Sequence, residues 1–147
     1  MKLTEHFTLE ELTHTSVRGV DNTPTTLIID NLTYTANMME RIRSLLLNSP
    51  IIVTSGYRSI EVNKAIGGTP WSQHTRGQAV DFICPSYGTP FVIAKYLESN
   101  MDFLTIDQLI YEGTWVHCSF KPFNYRKDCL TARFENGRTN YKMGIVE

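Results

Sequence analysis

The chain has little that would announce a macromolecular partner. Its 147 residues carry 14 basic and 15 acidic side chains, a formal charge of −1. With no basic excess, neither nucleic acid nor an anionic membrane surface is expected as a partner. No apolar run approaches the ~20 residues that span a bilayer. Met1-Lys2-Leu3-Thr4-Glu5-His6 has no apolar stretch behind its lysine, so no secretory signal is expected and synthesis in the cytoplasm is. Cysteine is scarce and odd in number: Cys84, Cys118 and Cys129, with no Cys-x-x-Cys pair. That argues against a disulfide framework and a thiolate zinc knuckle, and for reduced, partly buried thiols. No internal repeat or low-complexity tract is present. What remains is an ordinary globular composition, 41% apolar and 20% charged. The length fits one domain over 1–147 with one core, and a monomer is expected.

Local signals outline the elements. Thr8-Leu9-Glu10-Glu11 has capping-box spacing and predicts a short helix after Thr8. Polar residues 15–25 read as a loop. From Thr26, Ile28, Leu32, Met39, Ile42 and Leu46 recur at steps of three and four, with Thr35 filling the gap. They predict one face of a helix of about five to six turns, stopped by Asn48-Ser49-Pro50. The β-branched run Ile51-Ile52-Val53-Thr54 predicts a buried strand. Ser59 caps a short helix through Ile66, ended by Gly67-Gly68. Residues 69–78 read as a polar loop and Ala79 to Ile83 as a second strand. Thr89-Pro90 opens a helix to about Ser99. Gln108–Tyr111 and Trp115–Phe120 predict two strands joined near Gly113. The last 25 or so residues yield no assignment. The expected class is α+β: a small, mainly antiparallel sheet with helices packed on one face.

The densest chemistry lies in Ser72-Gln73-His74-Thr75-Arg76-Gly77-Gln78-Ala79-Val80-Asp81 and in Trp115-Val116-His117. A catalytic zinc site needs three protein ligands and an open position, and two histidines with one aspartate supply such a set. Strand alternation sharpens this. Val80 and Phe82 share one face of their strand, Ala79 and Asp81 the other. Val116, Cys118 and Phe120 share one face of theirs, Trp115, His117 and Ser119 the other. If the apolar sets face the core, Asp81 and His117 meet on the accessible face. Gly77 lets the preceding loop bring His74 back to them.

Taken in order, Ser55-Gly56-Tyr57-Arg58-Ser59, Val62-Asn63, Ile66-Gly67-Gly68, Ser72-Gln73-His74, Gly77-Gln78-Ala79-Val80-Asp81 and Trp115-Val116-His117 resemble the zinc D-Ala-D-Ala carboxypeptidase family. That family includes phage endolysin peptidases and shares its fold core with lysostaphin-type peptidases and the Hedgehog signalling domain. His6-Phe7-Thr8-Leu9-Glu10-Glu11-Leu12 and the long helix resemble its compact phage and prophage branch. The resemblance implies His74, Asp81 and His117 as ligands of one Zn2+ per chain. It implies Arg58 and Ser72 as substrate-binding residues, and places Gln73 in the pocket wall. It implies peptidoglycan stem peptides as substrate, cleaved by a carboxypeptidase or an endolysin-type endopeptidase. A phage enzyme of this kind would wait in the host cytoplasm until lysis or ride in a virion.

The sequence departs from the family at one position. Many members have an acid three residues before the last histidine, acting as general base; here it is Thr114. Glu112 is the nearest acid and the candidate catalytic base. Strict alternation turns it away from His117, and a bulge at Gly113 would reverse that. Trp115, on the site face, is expected to shape the substrate groove. The competing readings are a non-catalytic zinc-containing module of the same fold, binding cell walls or serving a phage structure, and a metal-free structural protein.

Overall fold

The computed structural model describes residues 1–147. Helix α1 (Leu9–Thr13) begins at Thr8 with the full reciprocal capping box to Glu11. Helix α2 (Thr26–Leu45) buries Leu32, Thr35, Ala36, Met38, Met39 and Ile42. It ends where Leu47 and Asn48 both turn left-handed. Strand β1 (Ile52–Ser55) leads into α3 (Ile60–Ala65), capped by Ser59. The stretch expected as a loop contains a 3-10 turn, Gln73–Arg76, before β2 (Ala79–Ile83). Helix α4 (Pro90–Glu98) starts on its Thr89 cap with proline in the first turn, and α5 (Met101–Leu104) follows. Strands β3 (Ile106–Tyr111) and β4 (Val116–Phe120) come next. The C-terminal stretch forms β5 (Asp128–Glu135) and β6 (Arg138–Met143).

The six strands form one sheet in the order β1-β2-β4-β3-β5-β6, antiparallel except where β5 runs parallel to β3. An apolar cluster of 24 residues joins Val80, Phe82, Leu109, Val116, Cys118 and Phe120 of the sheet to Leu32, Met39 and Ile42 of α2 and Ile93, Ala94 and Leu97 of α4. The helices that build the core therefore pack on one face, as the class predicts. Each large apolar side chain fully removed from water contributes roughly 1.5–3 kcal/mol, so this face sets the register of β2 and β4. A slip of one residue would drive Asp81 and His117 into the apolar layer.

Three expectations change. β1 is an edge strand with alternating exposure, and Ile52 is 50% exposed, so it is not a buried strand. A β-branched run reports strand propensity but not a strand's place in a sheet. The single-turn α5 went unread, and β3 begins at Ile106 rather than Gln108. The third concerns the join at Gly113. Tyr111 pairs with Val116, and the Glu112 N–H donates to the Trp115 carbonyl at 3.1 Å. Gly113 and Thr114 thus form a two-residue hairpin turn, with Gly113 at φ +84°, the geometry glycine permits at no steric cost. There is no bulge at Gly113, yet Glu112 still reaches the site face, because the turn sets it opposite Trp115.

Candidate metal centre

Asp81 and His117 are direct cross-strand partners on β2 and β4, two neighbouring interior strands of the sheet. Their side chains leave the face opposite the apolar cluster, and His117 Nδ1 lies 2.8 Å from Asp81 Oδ1. His74 arrives on the 3-10 turn, which several contacts hold. The Ser72 hydroxyl oxygen accepts from the His74 backbone N–H at 3.3 Å. Thr35 of α2 donates to the Gly77 carbonyl at 2.8 Å, and Asn31 donates to the Arg76 carbonyl at 2.9 Å. Thr35 is therefore more than a gap in the apolar face of α2. It ties that helix to the loop beside the site. Gly77 closes the turn at φ +72° with its Cα wedged against Leu32 and Ile28. The result places His74 Nε2 3.3 Å from Asp81 Oδ1.

The donor atoms of His74, Asp81 and His117 all lie within 4.8 Å of one another, and all three residues are buried. Bonds of about 2.0–2.1 Å around a tetrahedral zinc put neighbouring ligand atoms about 3.3 Å apart. The contacts at 2.8 and 3.3 Å are close to that edge. The hydrogen bonding adds a second argument. His74 Nδ1 lies 2.7 Å from the carbonyl oxygen of Gly56. A carbonyl only accepts, so Nδ1 carries a proton and Nε2 is the nitrogen turned to Asp81. Between that nitrogen and a carboxylate oxygen at 3.3 Å, a proton or a metal cation must sit. Burial pushes the His74 imidazole toward its neutral form. Burial would also raise the Asp81 carboxyl, but the two imidazoles beside it outweigh that and hold it well below the usual carboxylate range. Neutral imidazole and ionised carboxylate are the states that bind a metal.

Around this cluster runs a groove of about 940 Å³. All eight side chains singled out from the sequence line it: Arg58, Ser72, Gln73, His74, Asp81, Glu112, Trp115 and His117. Arg58 Nη2 reaches to 3.5 Å from Asp81 Oδ2, and its Nε donates to Ser55 at 3.2 Å. Its backbone is pinned by the N–H bond to the His74 carbonyl. Asn22 braces the same segment: its amide donates to the Tyr57 carbonyl and its Oδ1 accepts from the Ser59 N–H. Burial pushes the Glu112 carboxyl above its ordinary range, with Asp81 adding to the shift and His117 and Arg58 opposing it. The Trp115 indole N–H is buried without a hydrogen-bond partner. Gln73 lines the groove, and its amide turns to Arg126 and Gln78.

Sequence reasoning missed the far wall. Leu130, Thr139 and Tyr141 of the β5–β6 hairpin line the groove, with Lys121 and Arg126 from the preceding loop. Burial, then the nearby Glu112 charge, pushes the Tyr141 phenol upward. One signal could have found the hairpin. Asn136-Gly137, both at positive φ, is a strong two-residue turn signature between alternating runs.

Among curated proteins, none matches the sequence. A family model described as Peptidase M15 matches residues 5–119, a stretch that runs from before α1 to the end of β4 and contains all three candidate ligands. On that match, and with a His/Asp/His cluster suited to a metal at its centre, the chain belongs to the Peptidase M15 family.

Proposed function

We propose that the chain, as one domain over 1–147, is a zinc-dependent peptidase that hydrolyses amide bonds of peptidoglycan stem peptides, as a D-Ala-D-Ala carboxypeptidase or an endolysin-type endopeptidase. Membership of a peptidase family supports the reaction class. The observation that carries the metal is the convergence of one ligand atom each from buried His74, Asp81 and His117 within 4.8 Å of one another.

His74, Asp81 and His117 hold one Zn2+ per chain, and the Gly56 carbonyl fixes the His74 tautomer from behind. When bound, zinc supplies Lewis-acid polarisation of the scissile carbonyl and acidifies water. Glu112 acts as general base: its carboxylate takes the proton of the attacking water and returns it to the leaving amine. Its place on the site face supports an enzyme over a non-catalytic module, despite Thr114. Arg58, steadied by Ser55, binds the peptide's terminal carboxylate through its free guanidinium N–H groups. Ser72 keeps its O–H free to donate while its oxygen caps the 3-10 turn. Trp115 lines the groove beside Glu112 and His117 and shapes the space the substrate occupies.

Digestion of purified cell walls, followed by mass spectrometry of the released muropeptides, tests the reading. Wild-type protein with zinc should release peptide fragments from a single bond type, and Glu112→Ala should release none. Muropeptide masses unchanged after prolonged exposure to zinc-loaded wild type, with neither a terminal D-Ala lost nor a peptide bond opened, would reject it.

A further inference from the structure

The groove continues past the His/Asp/His cluster, and its far end is cationic. Asp107, in β3, and Glu112, just beyond its end, are five residues apart, about 17 Å of extended chain. Ile110, the register partner of His117, lies between them. At the Asp107 end the groove is lined by Arg76, Lys121 and Arg126.

These cations form a built arrangement. Asp107 is completely buried, and it accepts the Arg126 backbone N–H at 2.8 Å and the guanidinium at 2.7 and 3.0 Å. Arg126 Nη2 also donates to Gln73 Oε1 at 3.3 Å, and Gln73 Nε2 donates to Gln78 Oε1 at 3.4 Å. Arg76 Nε donates to that same Gln78 oxygen at 3.2 Å. Two glutamine amides thus tie two guanidinium groups into one row. Arg126 Nη1 and both terminal nitrogens of Arg76 keep donors that the protein does not use. Lys121 enters none of the ion pairs. The Asp107 clamp explains Arg126 as an anchor of its loop. The Asp107 charge also attracts Lys121, but it makes no contact with Arg76, which lines the same recess.

We infer that Arg76, Lys121 and Arg126 form a second carboxylate subsite, distinct from Arg58, that recognises an acidic residue of the peptide substrate. The inference rests on the peptidase reading for its substrate class. From Ile110 to Asp107 is three residues, about 10 Å of extended chain. The recognised carboxylate therefore sits two to three residues from the scissile bond. Arg76 and Arg126 are exposed and Lys121 is half-buried, and their donors favour a carboxylate over a carboxamide, which carries no charge and puts its own N–H donors against theirs.

The test uses L-Ala-γ-D-Glu-L-Lys-D-Ala-D-Ala and the same peptide with the glutamyl α-carboxyl amidated. Calorimetric binding is measured on Glu112→Gln protein, with and without Arg76→Gln and Lys121→Gln, and hydrolysis is measured on wild type. The acidic peptide should bind about tenfold more tightly than its amide. The added Arg76→Gln and Lys121→Gln changes leave Arg126 in place and should shrink that difference severalfold by weakening the acidic peptide alone. Equal or undetectable binding of the two peptides by the Glu112→Gln protein, or a preference undiminished by the double substitution, overturns the subsite whether or not wild type cleaves either. A preference lost as expected, with neither peptide hydrolysed by wild type, leaves the subsite standing and counts against the peptidase reading instead.

Discussion

Asp81 and His117 oppose each other across β2 and β4, and their side chains touch at 2.8 Å. Two of the three candidate ligands are thus as rigid as the interior of the sheet. The third, His74, depends on a 3-10 turn tied to α2 and to Gly56. The predictions below exploit that difference.

Purified wild-type protein should carry about one zinc per chain by elemental analysis. His74→Ala and Asp81→Ala should carry far less while keeping a native far-ultraviolet circular dichroism spectrum. Equal zinc in all three proteins would remove this cluster as the metal site.

Glu112→Gln keeps the size and polarity of the side chain but cannot take a proton. It should retain zinc and lower kcat by about 10²–10⁴, the range for loss of a positioned general base. Retention of more than a tenth of the wild-type rate would assign the proton transfer elsewhere.

Gly56 and Gly77 hold His74 from two sides. An added Cβ at Gly56 would drive into the Leu12 carbonyl oxygen. One at Gly77 would meet Leu32 at 3.1 Å in a backbone conformation that disfavours side chains. Gly56→Ala and Gly77→Ala should each cost about 1–3 kcal/mol of stability and weaken zinc binding. Urea melts and a competitive zinc titration check both. Unaltered zinc affinity in either variant would show that the turn does not need that glycine to place His74.

Asp107 gives a pH signature. Burial raises its carboxyl, but the hydrogen bonds from Arg126 outweigh burial and hold it below the ordinary range. A depressed folded-state value means a stabilising contribution present above the unfolded value of about 3.9 and lost as pH falls through the folded one. Asp107→Asn should therefore be less stable than wild type at pH 7 by about 1–3 kcal/mol. The gap should narrow as pH drops below about 4. Urea unfolding of both proteins at several pH values reads it, and a gap constant with pH would contradict the ionised pair.

Much of the site was legible because its signals are local. Alternation in Ala79–Ile83 and Val116–Phe120 separates ligand from core side chains within five residues each, so the faces of Asp81 and His117 follow once the apolar side is assigned. The caps at Thr8, Ser59 and Thr89 act within one helical turn, and all three form as expected. Ile52 shows the opposite case. Its residue type marks a strand, but it pairs with Ile83 on the face away from the apolar cluster, while Val53 pairs with core Phe82. Glu112 shows another: counting by twos fails across a hairpin, because a two-residue turn reverses the chain and restores the facing.

By itself the sequence determined which side chains carry chemistry, the alternation that segregates them from the core, and the family to which the chain belongs. Those properties reside in residue identity and near-neighbour spacing. Tertiary structure alone decided that β2 and β4 would be neighbours, that β5 would pair with β3 in parallel, and that the loop before it would set Arg126 on buried Asp107 beside Gln73. Pairing of distant strands is selected by the burial of one shared apolar layer, a collective property that no short window of residues contains.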